Sequence, residues 1–483
     1  MVIVMSGREN NCSAFRQLLQ PVEKHDGVWA WIVCFASFGL FFCGGGVMFT
    51  FGVLYVGLLN YFANDSNADL DVALNFSNNL STRAPVPSAL SGELAWVGSV
   101  SLMVSGVFAP LASTLMVKIG VRPMIFISAI LLTAGQLLTS TTTKIWHPFL
   151  TYTILSGTSI AIVYAVCWGV LPLYFQKKRS LACGVTNCGK YLGMAVVGPM
   201  SRMAMKDYGW RTSLQLFSIL GLVMIICGVI YRPPMVTSKT NNQREKLRIA
   251  EILLKSLKLH RNLLFTFWAI VIVLIYSAFF VPTYHIVRHT EKNLKHGPEK
   301  SGTLLTVLAV SAAGSTVTVG LIADHLTIQY KVLLLQLLLL LGGISTMLLP
   351  FYHTFALAAV YMAAYGVAMG FTTLISVITV AIVGEEQSML AIGMITLYTS
   401  SSIIGPPIAG WMYDSSGNYN DGFLVFGLVL VIAALLLSLY KVVRRMQVIS
   451  TKQGKSTLSV IQRLEKHNYL DATTIVISKE TSV

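Results

Sequence analysis

Apolar residues fall along this chain in runs of about twenty, separated by short polar stretches, and the pattern repeats twelve times. The runs cover roughly residues 28–60, 93–116, 122–141, 148–173, 181–201, 212–231, 263–287, 301–323, 331–350, 355–383, 388–412 and 422–442. At ~1.5 Å per residue, about twenty residues cross a ~30 Å hydrocarbon layer as a helix. Lipid offers backbone groups no partner, so the runs are predicted to be helices, and the period-two alternation of a membrane barrel is absent. The fold class expected is an all-α membrane protein with twelve transmembrane helices. The first run is longer than one straight crossing, and "CGGGVMFTFG" in its middle predicts a bend or an extended outer end.

Six runs precede a basic stretch at 232–261 and six follow it; that stretch holds eight Lys/Arg against two Glu. Basic loops favour the cytoplasmic side, so this loop and both termini are expected there. Lys118 and Arg122, "QKKR" (176–179) and "KVVRR" (441–445) agree, while the outer loop at 287–300, with four Lys/Arg, runs against the rule. The organisation expected is a tail (1–27), a first half (28–231) with an outer loop at 61–92, a central loop (232–262), a second half (263–442) and a C-terminal tail (443–483). Within the central loop, "REKLRIAEILLKSLKLH" has helical apolar spacing and reads either as a membrane-surface helix or as a solvated linker. Asn64, Asn75 and Asn79 each begin an N-x-[ST] sequon in the 61–92 loop and are candidate glycosylation sites.

Composition sharpens the class. Charged residues are 11% of the 483 and apolar ones 54%, with a mean hydropathy of +0.68. The net charge of +15 sits in the loops between apolar runs, which argues for membrane orientation and lipid contact rather than a nucleic-acid partner. Of seven cysteines, six lie in or beside apolar runs and Cys12 in the N-terminal tail, a distribution that predicts no structural disulfide. There is no HExxH, GxSxG, Walker A loop or paired-cysteine metal site, so no enzyme, metal or cofactor is expected. "MVIVMSGREN" is too short for a signal-peptide core, so the first span is expected to be retained. The last residues, Thr481-Ser482-Val483, fit the carboxyl-terminal pattern that PDZ domains take up as an added strand.

Several motifs carry a family resemblance. "DGVWAW" (26–31) opens span 1, with Asp26 and Gly27 ahead of Trp29 and Trp31. "LAWVGSV" (94–100) and "GVRP" (120–123) follow, then "YFQKKRSLACGV" (174–185) with Tyr174, Phe175 and Arg179. "GWR" (209–211), "RPP" (232–234) and "GPPIAGWMYD" (405–414), with Gly405, Pro406, Pro407 and Asp414, complete the set. In this order they resemble the monocarboxylate transporter family (solute carrier family 16) of the major facilitator superfamily. Val28 departs from the small residue usual there. The resemblance implies two six-helix bundles, a plasma-membrane carrier of a small organic anion, and alternating access around a midplane site. It also implies that a single-span glycoprotein chaperone is a partner of some members. Asp26 is expected to cap the first turn of span 1, and Trp29 and Trp31 to anchor at the interface.

The charges of proton-coupled members are missing. The position of their span 1 lysine is Phe49 here, and those of their span 8 aspartate and arginine are Ala312 and Thr316. Proton symport is therefore not carried over. In their place stands Lys190, eleven residues after Arg179 and so ~16 Å deeper along a helix. A mid-membrane lysine costs about 2.5–3.5 kcal/mol. Thr186, Asn187, Gly193 and Met194 share its helical face, so this face is expected to turn from lipid. Two readings stand: Lys190 supplies the positive charge for an anionic substrate, or it is a structural lysine bonded to carbonyls or a carboxyl. Tyr164, Ser315, Thr316, Tyr365 and Phe371 join Lys190, Asn187, Thr186 and Phe49 as substrate-site candidates, and Trp168 is a further one. His285 and Arg211 are expected at the interface, and Asp324 in a gate or loop ion pair. Two rival functions remain: a facilitative carrier of a neutral, aromatic or zwitterionic solute, and a non-transporting sensor or scaffold.

Overall fold

A computed structural model describes residues 26–62 (apart from 50, 53, 56, 59 and 60), 88–231, 249–293, 298–416 and 418–449. The sequons, the 232–248 part of the central loop and the carboxyl terminus lie outside the described residues. Among the described residues, helices run through every apolar stretch. Span 1 is Val28–Phe49, span 3 Val121–Ser140, span 4 Phe149–Leu173, span 7 Leu263–Val287 and span 8 Gly302–Asp324. Spans 9 to 12 are Ile328–Phe351, Phe355–Val383, Ser388–Tyr413 and Asn420–Ile449. Span 2 is a pair, Trp96–Val107 and Ala109–Ile119, bent by 43° just before Pro110, which has no N–H to continue the helix. Arg179–Ile230 is helical over 52 residues, but Gly209 has φ 79°, a left-handed conformation that turns the chain back. It therefore makes two crossings, span 5 (179–208) and span 6 (210–230), which brings the total among the described residues to twelve.

Two apolar cores form. One is built on spans 1 to 4 with Leu214, Met224 and Tyr231 and takes in Val377, Met389 and Ile392 of spans 10 and 11, and the other is built on spans 7 to 12. Large side chains such as Ile130, Ile226, Leu337 and Val360 stay exposed on the outside, as a lipid-facing surface requires. Span 5 straddles the seam between the cores. Its Ala182 and Cys183 belong to the first core, and its Tyr191 and Met194 to the second. Glycine makes these approaches possible: a Cβ on Gly189 would sit 2.3 Å from the Phe38 carbonyl of span 1, and one on Gly184 2.3 Å from the Thr316 carbonyl of span 8.

The central-loop helix, Ile249–Lys258, is neither free linker nor simple surface helix. It buries Ile252 and Ser256, with Leu259 just beyond, and packs against the second half of span 2, Ala109–Ile119, and the start of span 11. Its opposite side leaves Leu254 and Leu257 exposed. It thus bridges the two halves at the end of the molecule that carries Arg179.

Candidate functional site

Span 5 turns Cys183, Thr186, Asn187, Lys190 and Met194 to one buried face, and leaves Val196 on the other 43% exposed. Lys190 is 4% exposed. Span 1 meets it at Gly45, where a Cβ would lie 2.6 Å from the Lys190 Cβ and 2.8 Å from its Cα. Among the described residues its ammonium has no carboxylate and no hydrogen-bond acceptor. It faces two rings instead: Nζ lies 4.7 Å from the Tyr191 ring centre and 5.5 Å from that of Trp168. Such contacts return ~0.5–2 kcal/mol each. They offset part of the burial cost without supplying a counter-charge.

The rings around Lys190 are held from behind. Trp168 Nε1 donates to Asn187 Oδ1 at 3.2 Å, and Asn187 Nδ2 donates to the Cys183 carbonyl at 2.9 Å. Tyr164 lies 4.9 Å from Trp168 and 5.1 Å from Phe41, ring centre to ring centre. On the other side Tyr191 stacks on Phe49 at 6.5 Å, and Phe49 lies 5.9 Å from Phe280 of span 7. Phe280 touches Phe279, and Phe279 touches Phe371 of span 10 at 5.3 Å. The Tyr191 hydroxyl is 3.5 Å from that of Thr372, also in span 10. An unbroken run of aromatic contacts thus crosses from one half to the other, with a cation at its middle. Phe49, the position where the resemblance expects a lysine, is part of this run, one turn beyond Gly45.

The candidates do not all converge. Ser315 Oγ donates to the Val367 carbonyl at 2.5 Å, and Thr316 Oγ1 to the Ala313 carbonyl at 2.9 Å. Both hydroxyl protons go to backbone carbonyls, and Thr316 is packed between Gly184 and Thr373. Tyr365 donates to the Phe279 carbonyl at 2.8 Å and lines a small cavity inside the second half with Leu338, Phe371 and Leu430. It positions the Phe279 backbone and does not reach Lys190. The structure adds Tyr191, Phe279, Phe280, Thr372 and Gly45, which the sequence candidates omitted. "YSAFF" (276–280), three aromatics in five residues in the second half of span 7, is the available signal.

The motif residues bond to one another and to neighbouring spans. At φ 58° Asp26 faces the span 4–5 loop, where its carboxylate accepts from the N–H groups of Gln176, Lys177 and Lys178 at 3.1–3.3 Å. Its own N–H donates to the Tyr174 carbonyl at 3.0 Å, and Trp31 meets Phe175 edge-on at 5.2 Å. The first and fourth motifs are therefore one unit in space. Next to it, Asp324 of span 8 accepts from the N–H groups of Ser180 and Leu181 at 2.7 and 3.0 Å, an anion at the start of span 5. Arg179 pairs with Glu385, and Lys331 donates to Ser180 Oγ at 3.2 Å. These bonds tie the halves together at this end. Gly405 packs on the Ser277 carbonyl, and His285 Nε2 donates to the Pro406 carbonyl at 2.9 Å, so Gly405 and Pro406 dock span 11 on span 7. Arg211 stacks on Tyr61 and Trp210, and its Nη2 donates to the Thr142 carbonyl at 2.9 Å.

Two halves around a shared seam is an architecture that comparison can place. The sequence model of the Major Facilitator Superfamily matches residues 36–401. The chain belongs to the Major Facilitator Superfamily. Within the superfamily it is similar to rat "Monocarboxylate transporter 13", 26% identical over 416 residues that cover 86% of this chain and 89% of that one. It is likewise similar to mouse "Monocarboxylate transporter 12" (23%, covering 87% of each) and zebrafish "Monocarboxylate transporter 10" (25%, covering 87% and 80%). Among solved superfamily structures, the human organic anion transporter MFSD10 (TETRAN) overlays with a TM-score of 0.65 at 17% identity, covering 84% of this chain and 99% of that one. The proton:xylose symporter XylE overlays at 0.64 with 15% identity, covering 86% and 96%. These likenesses make the chain a multi-pass membrane transporter, as its relatives are, and not an enzyme.

Proposed function

We propose that the protein carries an organic monocarboxylate anion across the plasma membrane by alternating access between its two halves, with both termini cytoplasmic. The observation that carries this reading is Lys190: a cation at the seam, 4% exposed, with aromatic faces but no counter-charge among the described residues. A bound carboxylate is the missing partner, and a charge-assisted bond to it contributes about 1.5–3 kcal/mol. The names of the relatives support the substrate class. Proton coupling is not part of the proposal, since Phe49, Ala312 and Thr316 occupy the positions that carry it elsewhere in the family. The test is uptake of a radiolabelled monocarboxylate by Lys190→Ala and Lys190→Arg at matched surface levels. Uptake should fall at least tenfold in Lys190→Ala and recover partly in Lys190→Arg, and competition should come from carboxylates but not from their amides. Unchanged kinetics in both variants would refute the proposal.

A further inference from the structure

Resting on that reading, we infer that the carried anion is an aryl carboxylate without an amine, its carboxylate on Lys190 and its ring among Phe49, Tyr191 and Phe280. Three observations lead there. First, the cation is already solvated by π faces at 4.7 and 5.5 Å, so a carboxylate reaching it must displace at least one ring. A substrate that brings its own ring restores the lost contact; a short aliphatic acid leaves the displaced aromatic unpaired. Second, the Phe49 and Tyr191 rings lie near parallel, 28° apart at 6.5 Å, and Phe280 faces Phe49 at 33° from the opposite half. That geometry suits a flat group better than a branched one. It also makes the ligand touch both halves at once, as a ligand that drives alternating access must. Third, the surroundings of Lys190 contribute no carboxylate among the described residues. A substrate ammonium would find Lys190 itself and no anion, so an α-amino acid is rejected by charge repulsion while the matching oxo-acid is accepted.

The polar side chains nearby give little room for a sugar or polyol. Asn187 is committed to Trp168 and Cys183, and Thr316 to its own helix. The Tyr191–Thr372 contact, 3.5 Å long, is the weak polar link that a ring entering beside Tyr191 would part.

The experiment uses the purified full-length protein in detergent, titrated with phenylpyruvate, pyruvate, phenylalanine and phenylacetamide, with binding read by thermal shift. Burying a phenyl group is worth roughly tenfold to a hundredfold in affinity. Phenylpyruvate is expected to bind at least tenfold more tightly than pyruvate, and phenylalanine and phenylacetamide at least tenfold more weakly than phenylpyruvate. Phe49→Leu and Phe280→Leu, each conservative enough to keep the packing, should bring the phenylpyruvate-to-pyruvate ratio toward one. If pyruvate binds as well as phenylpyruvate and both need Lys190, the aryl inference falls and the monocarboxylate reading stands. If phenylacetamide binds as well as phenylpyruvate, or Lys190→Met binds both acids normally, the monocarboxylate reading falls with it. Phenylalanine binding as well as phenylpyruvate overturns the amine-free part.

Discussion

Replacing Asp324 by Asn should open the end of the transporter that Arg179 guards. Two N–H···O⁻ bonds, 2.7 and 3.0 Å, hold the Asp324 carboxylate of span 8 against the start of span 5. Hydrogen bonds to a charged group contribute about 1.5–3 kcal/mol, and an anion at a helix N-terminus adds ~0.3–1 kcal/mol. Asparagine keeps one neutral acceptor, so the loss is about 1.5–3 kcal/mol. The neighbouring Arg179–Glu385 pair cannot compensate, because its side chains are 17% and 36% exposed and such pairs contribute ~0–1 kcal/mol. The open fraction at this end should therefore rise roughly tenfold to a hundredfold. Cys183 reports it. It lies two residues beyond Leu181, is 1% exposed, and meets the Ser376 hydroxyl of span 10 across the seam at 3.4 Å. With the other six cysteines replaced by serine, a membrane-impermeant maleimide applied from the Arg179 side should label Cys183 at least tenfold faster in Asp324→Asn. An unchanged labelling rate at unchanged melting temperature would refute the assignment of this contact as the gate.

Three further outcomes follow from contacts described above. Gly45→Ala places a methyl 2.6 Å from the Lys190 Cβ, so span 5 must shift; overpacking of this kind costs ~1–3 kcal/mol, and both melting temperature and uptake should drop. Asp26→Ala removes the acceptor for three N–H groups and should destabilise by about 2 kcal/mol, whereas Asp26→Asn, which tolerates φ 58° and keeps an acceptor, should recover more than half; equal melting temperatures would contradict the clamp. Tyr365→Phe frees the Phe279 carbonyl and should cost ~0.5–1.5 kcal/mol in stability while changing substrate affinity less than Phe280→Leu does, since it touches the site only through that backbone.

Hydropathy makes every span legible and the ends of several exact, while spans 5 and 12 run about seven residues past their expected ends. Span 7 was read as 263–287 and is Leu263–Val287, and span 10 agrees at both ends. A lipid-facing helix must be apolar for its whole crossing, so composition marks its length. What hydropathy could not give was where a polar side chain spends its hydrogen bonds. Ser315 and Thr316 read as substrate hydroxyls because their helix face was polar, yet each bonds a backbone carbonyl. A cap on span 1 is the expectation for Asp26 because a cap is local, whereas the three N–H groups its carboxylate accepts from lie 150–152 residues away in a loop that only the packing of spans 1 and 4 brings near. Lys190 was legible for the opposite reason. A charge inside an apolar run is expensive wherever it points, so its inward face followed from energetics alone. Its aromatic partners did not, because Phe and Tyr are equally at home in cores, at interfaces and in lipid.

The central claim is that Lys190 waits for an anion rather than bracing the fold, and the carboxylate-induced thermal shift of Lys190→Met tests it most directly. Burying the ammonium costs about 2.5–3.5 kcal/mol and its two aromatic contacts return ~1–4 kcal/mol in sum, so the variant should melt within a few degrees of the parent. The account predicts that near-parental melting temperature together with loss of the shift that phenylpyruvate gives the parent. A variant that melts many degrees lower yet keeps the full carboxylate shift would contradict it.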